Sequence, residues 1–157
     1  MKSSVTLSHT PPCATKSTMA FRKAITLAQN ERFASLDIVN CKIEGIGEKA
    51  CTIISGEKIR KFHLTHFRSI EGTATPQAFK AINRCIAADE MSAIDKEIKR
   101  KNGQTTFALL RFRHPDTTKK KDISCYIIYQ RSSPTSFTCA YLEGTATISQ
   151  LKETFQQ

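Results

Sequence analysis

Tryptophan is missing from this chain, its apolar runs last only a few residues, and no Cys-x-x-Cys pair occurs. Each absence excludes something. Without an unbroken apolar stretch of about 20 residues, no membrane-spanning helix is expected. With no Trp and few aromatics among its cations, the chain lacks a stacking platform for single-stranded nucleic acid, and RNP-like or zinc-finger spacings are absent too. G-x-S-x-G, Walker and GxGxxG patterns are also missing, which removes the common signatures of nucleophilic, nucleotide-hydrolysing and dinucleotide-dependent enzymes. The opening segment lacks the apolar centre of a secretory signal, so composition alone points to the cytoplasm.

Positive charge is plentiful. Lys and Arg number 24 against 14 Asp and Glu, a formal charge of +10 over 157 residues. Such a surplus favours anionic partners: nucleic acid, acidic proteins or an anionic surface. The cations are spread in small groups, Lys58/Arg60/Lys61, Lys96/Lys99/Arg100/Lys101, Arg111/Arg113 and Lys119/Lys120/Lys121. Of these, Arg111, Arg113, Lys119, Lys120 and Lys121 are the candidate anion or partner contacts, two arginines on one strand face followed by a basic loop. Residues 1–18, rich in Ser, Thr, Pro and Lys, read as a flexible basic tail, and 20–157 as a single domain.

Helical spacing in Ala20–Leu36 gives Phe21, Ile25, Ala28 and Phe33 as buried positions. DIVNCKI (37–43) and KACTII (49–54) read as a hairpin about Gly45-Ile46-Gly47, and KIRKFHLTHFRSI (58–70) contains a strand. Thr75 and Pro76 then open a helix whose Phe79, Ile82 and Ile86 form a stripe. Met91, Ile94 and Ile98 extend that stripe with a shifted phase, so 76–101 is expected to be one long helix or two with a bend near Asp89. TTFALLRFR (105–113), ISCYIIYQR (123–131) and SFTCAYLE (136–143) read as an antiparallel meander, followed by a short terminal helix with Ile148, Leu151 and Phe155 inward.

The phrase EGTAT occurs at 71–75 and again at 143–147. Both copies join a strand to a helix. Gly72 and Gly144 are expected to ease a turn, and Thr75 and Thr147 to cap the helix that follows, Thr147 with Gln150 in a capping box. A repeated phosphate loop would need more glycine and a Lys-Ser/Thr signature. Glu71 and Glu143 read as polar turn residues.

Six cysteines are present. Cys41 and Cys51 flank the first presumed turn symmetrically, as Cys125 and Cys139 flank Ser132, so each pair is expected cross-strand on one face of its ribbon. They are either cross-links of an oxidising compartment or small buried hydrophobes, and the lack of an export signal favours free thiols. His63 and His66 are the one close histidine pair, and in an extended segment they point to opposite faces. No metal site, no cofactor and no catalytic residue is expected.

Three stretches, ACTIISGEKIRKFHLTHFRSI (50–70), IDKEIKRKNGQTTFALLRF (94–112) and AYLEGTATISQLKETF (140–155), resemble a group of small exported Bacteroidetes proteins carrying a domain of unknown function. The resemblance implies an α+β fold with an antiparallel sheet, no assigned enzymatic activity and an extracytoplasmic location. It supplies no functional residues. The expected fold is thus α+β, an antiparallel sheet of five to six strands against one long central helix and a short C-terminal helix. The expected function is a non-enzymatic binding or scaffold module acting through its basic surface or an exposed sheet face or edge. A nucleic-acid binder using Arg111, Arg113 and Lys119–Lys121, and a thiol-dependent enzyme or redox protein, are the alternatives.

Overall fold

Three segments late in the chain bury side chains on both faces, and they form the centre of the molecule. β4 (Gln104–Arg113), β5 (Ser124–Arg131) and β6 (Ser136–Gly144) are nearly continuous buried runs, the pattern of strands covered on two sides. The structure is a computed structural model that describes residues 33–114 and 123–155. The 1–18 tail, most of the helix expected from Ala20, and Lys119–Lys121 lie outside the described residues. With β1 (Ile46–Ser55), β2 (Leu64–Ala74) and β3 (Asp95–Lys101), the central strands make one six-stranded sheet, ordered β1-β2-β6-β5-β4-β3. Every neighbouring pair is antiparallel. No helix among the described residues is long and apolar enough to cross a membrane.

The described helices are α1 (Leu36–Val39), α2 (Glu57–Arg60), α3 (Pro76–Glu90) and α4 (Ile148–Phe155). α1 and α3 cover one sheet face, where Leu36, Ile82 and Ile86 join a core with Ile70, Leu110, Ile127 and Phe137. Ile59 of α2 and Leu151 of α4 belong to the core of the other face, with Leu109, Tyr126 and Leu142. Tyr126 also ties α4 down: its one hydroxyl proton is shared between the carbonyls of Ala146 at 2.6 Å and Gly144 at 3.1 Å.

The α+β antiparallel architecture read from the sequence is observed, but the long central helix is not. α3 stops at Glu90, and Met91 and Ile94 are left exposed. The shifted phase of Ile94 and Ile98 is the start of an edge strand. Asn102 and Gly103 have φ of 54° and 77°, and Lys101 pairs with Gln104. That is the two-residue hairpin for which Asn-Gly is the strongest local signal.

The first expected hairpin is also corrected. Residues 36–39 wind into α1 because the Asp89 carboxylate accepts from the amides of Ala34 and Ser35 at 2.8 and 2.6 Å, holding that turn at the end of α3. Cys41 sits in a turn with φ of 57°, and β1 pairs with β2, placing Cys51 opposite Ile70. The Cys41–Cys51 pair therefore does not form. Cys51 is disulfide-bonded, while Cys41, Cys85, Cys125 and Cys139 carry no disulfide.

Cys125 and Cys139 share a face, as expected, yet they do not oppose each other. Cys139 faces Tyr129, and Cys125 faces Glu143. The turn is centred on Pro134 instead of Ser132. Ser132 and Ser133 amides donate to Ser136 O at 3.0 and 3.3 Å, and Arg131 Nη2 donates to Pro134 O at 2.8 Å. Because the slip is even, every side chain keeps its face.

Thr75 and Thr147 cap their helices, accepting from Ala78 N and Gln150 N, each at 3.1 Å. The glycines of EGTAT act differently from expectation. Gly72 and Gly144 lie inside strands, and neither has a positive φ. A Cβ on Gly72 would stand 2.7 Å from Gly47 O, and one on Gly144 would strike the backbone of His63 and Leu64. Close strand approach selects glycine at both sites. Thr75→Ala is expected to cost about 1 kcal/mol in denaturant unfolding. Gly144→Ala should cost more, about 2–3 kcal/mol, because the obstruction is backbone. Equal costs would contradict this assignment.

Candidate functional site

The residues expected to hold an anion are only partly available to do so. Arg111 lies in β4, and its Nε and Nη2 donate to Asp95 Oδ2 at 2.8 and 2.5 Å, while Nη1 donates to Ser124 Oγ at 3.0 Å. The guanidinium is thus used to tie β3, β4 and β5 together. Arg113, exposed at the end of β4, pairs with Ser124. Within β3, Lys96 and Arg100 reach Glu90 at 3.6 and 2.6 Å. The hydrogen bond from Arg100 holds the Glu90 carboxyl below the usual carboxylate range.

A different basic site lies at the other end of the same strands. The β3–β4 and β5–β6 hairpins bring their tips together, leaving a cleft of about 490 Å³ lined by Lys101, Asn102, Gln104, Thr106, Arg131 and the Ser132–Pro134 turn. Arg131 is fixed there. It stacks over Phe79 at 3.8 Å, donates to Ser133 O at 3.3 Å, and reaches Gln104 Oε1 across the cleft. Lys101 makes no ion pair with any described residue. No carboxylate lines the cleft. Sequence reading missed this site because its cations, Lys101 and Arg131, are thirty positions apart; the Asn102-Gly103 turn was the signal that could have aligned the two tips.

A second polar group is enclosed beneath the sheet's α1/α3 face, at the ends of β4, β5 and β6 away from the cleft. Tyr141 OH donates to Glu143 Oε2 at 2.6 Å and lies 3.2 Å from Cys125 Sγ. A phenol has one proton, so the thiol is the donor in the latter contact and the chain runs from Cys125 through Tyr141 to Glu143. His114 Nε2 stands 3.4 Å from the same carboxylate oxygen. All four side chains are buried, with Glu143 at 0% exposure. Burial first, then the neighbouring Cys125 and Glu143, pushes the Tyr141 hydroxyl well above its ordinary range. Glu143 is therefore not the polar turn residue the sequence suggested.

A model for a family of unknown function, DUF6108, matches residues 37–155. The chain belongs to DUF6108. No curated protein and no solved structure matches it. The DUF6108 match covers β1–β6 and both polar sites, and it assigns no role to either.

The remaining free thiols are poor nucleophiles. Burial, aided by Glu48, pushes the Cys41 thiol up to about 12, and burial with Asp37 and Asp89 pushes Cys85 to about 11. Cys139, enclosed between strands, is raised further, chiefly by desolvation. Thiolate is the reactive form. Alkylation at pH 8, followed residue by residue by mass spectrometry, should modify these three at least about tenfold more slowly in the folded than in the unfolded chain. Rapid modification of any of them in the folded chain would contradict the placement.

Proposed function

We propose that this chain is a non-enzymatic binding module whose hairpin-tip cleft takes an extended acidic segment of a partner protein. The observation that carries the reading is the lining: two cations, five neutral hydrogen-bonding side chains and no carboxylate. Neither Lys101 nor Arg131 makes an ion pair with a described residue, and Asn102, Gln104 and Ser133 can meet the amides and carbonyls of an extended backbone. The volume falls within the range of about 300–1,000 Å³ for recognition pockets, room for a few residues. The raised thiol pKa of Cys41, Cys85 and Cys139 argues against thiol chemistry at those three residues.

Nucleic acid is the weaker occupant. The cleft offers no aromatic ring for base stacking, and Arg111 of the originally expected site is engaged by Asp95. An exported setting, implied by the sequence resemblance, fits the disulfide at Cys51, since such bonds persist in oxidising compartments.

Fluorescence anisotropy with a labelled Glu/Asp-rich peptide tests the reading. Lys101→Glu should weaken binding by about tenfold and flatten its salt dependence. Lys49→Glu, at the opposite edge of the sheet, should leave binding nearly unchanged. Equal loss in both variants, or tighter binding of a single-stranded oligonucleotide than of the peptide, would overturn it.

A further inference from the structure

Glu143 presents a chemical problem that the hydrogen bonds around it leave unsolved. Its carboxylate is fully buried; Oε2 accepts a hydrogen bond from Tyr141, while Oε1 has no hydrogen-bond partner among the described residues. A buried carboxylate oxygen left in this way is costly unless a cation approaches it. Two further donor atoms of the kinds that bind transition metals converge on the same spot. His114 nitrogen, Cys125 Sγ and a Glu143 oxygen all lie within 4.8 Å of one another, and all three residues are buried.

We propose that His114, Cys125 and Glu143 form a binding site for a divalent transition-metal ion of zinc's class. The donor set selects the class: thiolate with imidazole and carboxylate suits Zn²⁺ and its neighbours, whereas Mg²⁺ and Ca²⁺ require oxygen donors. The distances are close to those required. Nitrogen and oxygen ligands each about 2.0–2.1 Å from a tetrahedral ion stand about 3.3 Å apart. The His114 Nε2 to Glu143 Oε2 separation is 3.4 Å. A sulfur ligand at about 2.3 Å would stand about 3.5 Å from the other two, so Cys125 Sγ has at most about 1.3 Å to close.

Tyr141, bonded to both the thiol and the carboxylate, takes the place of an outer-shell group that fixes ligand orientation. Binding displaces the Cys125 thiol proton to solvent, leaving thiolate on the ion. With three ligands from the chain, the fourth position falls to water. The strands explain why the site forms. Pairing puts Cys125 directly between Glu143 of β6 and Phe112 of β4, and His114 follows two residues after Phe112. Such an ion would clamp together the ends of β4, β5 and β6 opposite the cleft, so its presence is independent of the peptide-binding reading.

The test uses the full chain with the Cys51 disulfide intact, stripped with a chelator and dialysed without oxygen. Titration with Co²⁺ should give one equivalent bound with a thiolate-to-cobalt charge-transfer band, and Zn²⁺ should displace it and raise Tm. Cys125→Ser should abolish the charge-transfer band, and Cys85→Ser should leave it intact. Should Cys125→Ser fail to fold, Glu143→Gln read by the same titration should bind at least tenfold more weakly. Wild-type protein that is folded, with the Cys125 thiol unoxidised, yet takes up neither Co²⁺ nor Zn²⁺ would overturn the proposal. So would a charge-transfer band that persists in Cys125→Ser.

Discussion

Closure of the β5–β6 ribbon at Arg131 opposite Phe137 governs both ends of the sheet. At the tip, the Ser132–Ser136 turn places the Arg131 guanidinium over Phe79 and against Gln104, which creates the floor of the cleft. At the far end, the same register sets Glu143 beside Cys125, with Tyr141 bonded to both. The alternative closure, Cys139 opposite Cys125, would preserve every face. It would also carry Glu143 past the start of β5 and scatter the buried polar group.

That register was beyond the reach of the sequence for a physical reason. A period of two identifies which side chains share a face, and Cys125, Ile127, Cys139 and Tyr141 were assigned to one face correctly. Which residues meet depends on the turn, and here serine hydroxyls and an arginine bonding backbone carbonyls decide its centre. The three buried strands and both threonine caps were legible because continuous apolar runs and Thr-Pro or Thr-x-x-Gln patterns have few alternative meanings. β3 was not. Exposed except at Glu97 and Ile98, it shows no alternation, and Ile94 and Ile98, four apart, imitate the next turn of a helix.

The repeated phrase shows the same limit at single residues. Glu71 and Glu143 begin identical pentapeptides, yet Glu71 is exposed and Glu143 is fully buried. β2 at Glu71 pairs with the edge strand β1 on one side and β6 on the other, whereas β6 at Glu143 pairs with β2 and β5, further from that edge. Local sequence sets the caps and the close-approach glycines; position in the sheet decides which glutamate meets water. Net charge misleads in a similar way. On β3, Lys96 and Arg100 are matched by Glu90, whereas Lys101 stands at a cleft that no carboxylate lines.

Both polar sites thus follow from one pairing, and the most direct measurement is of that pairing itself. In a uniformly labelled sample, cross-strand nuclear Overhauser effects should connect the backbone protons of Cys125 with Glu143 and of Tyr129 with Cys139. Effects joining Cys125 to Cys139 instead would place the turn at Ser132, and neither the cleft nor the His114–Cys125–Glu143 group would exist as described.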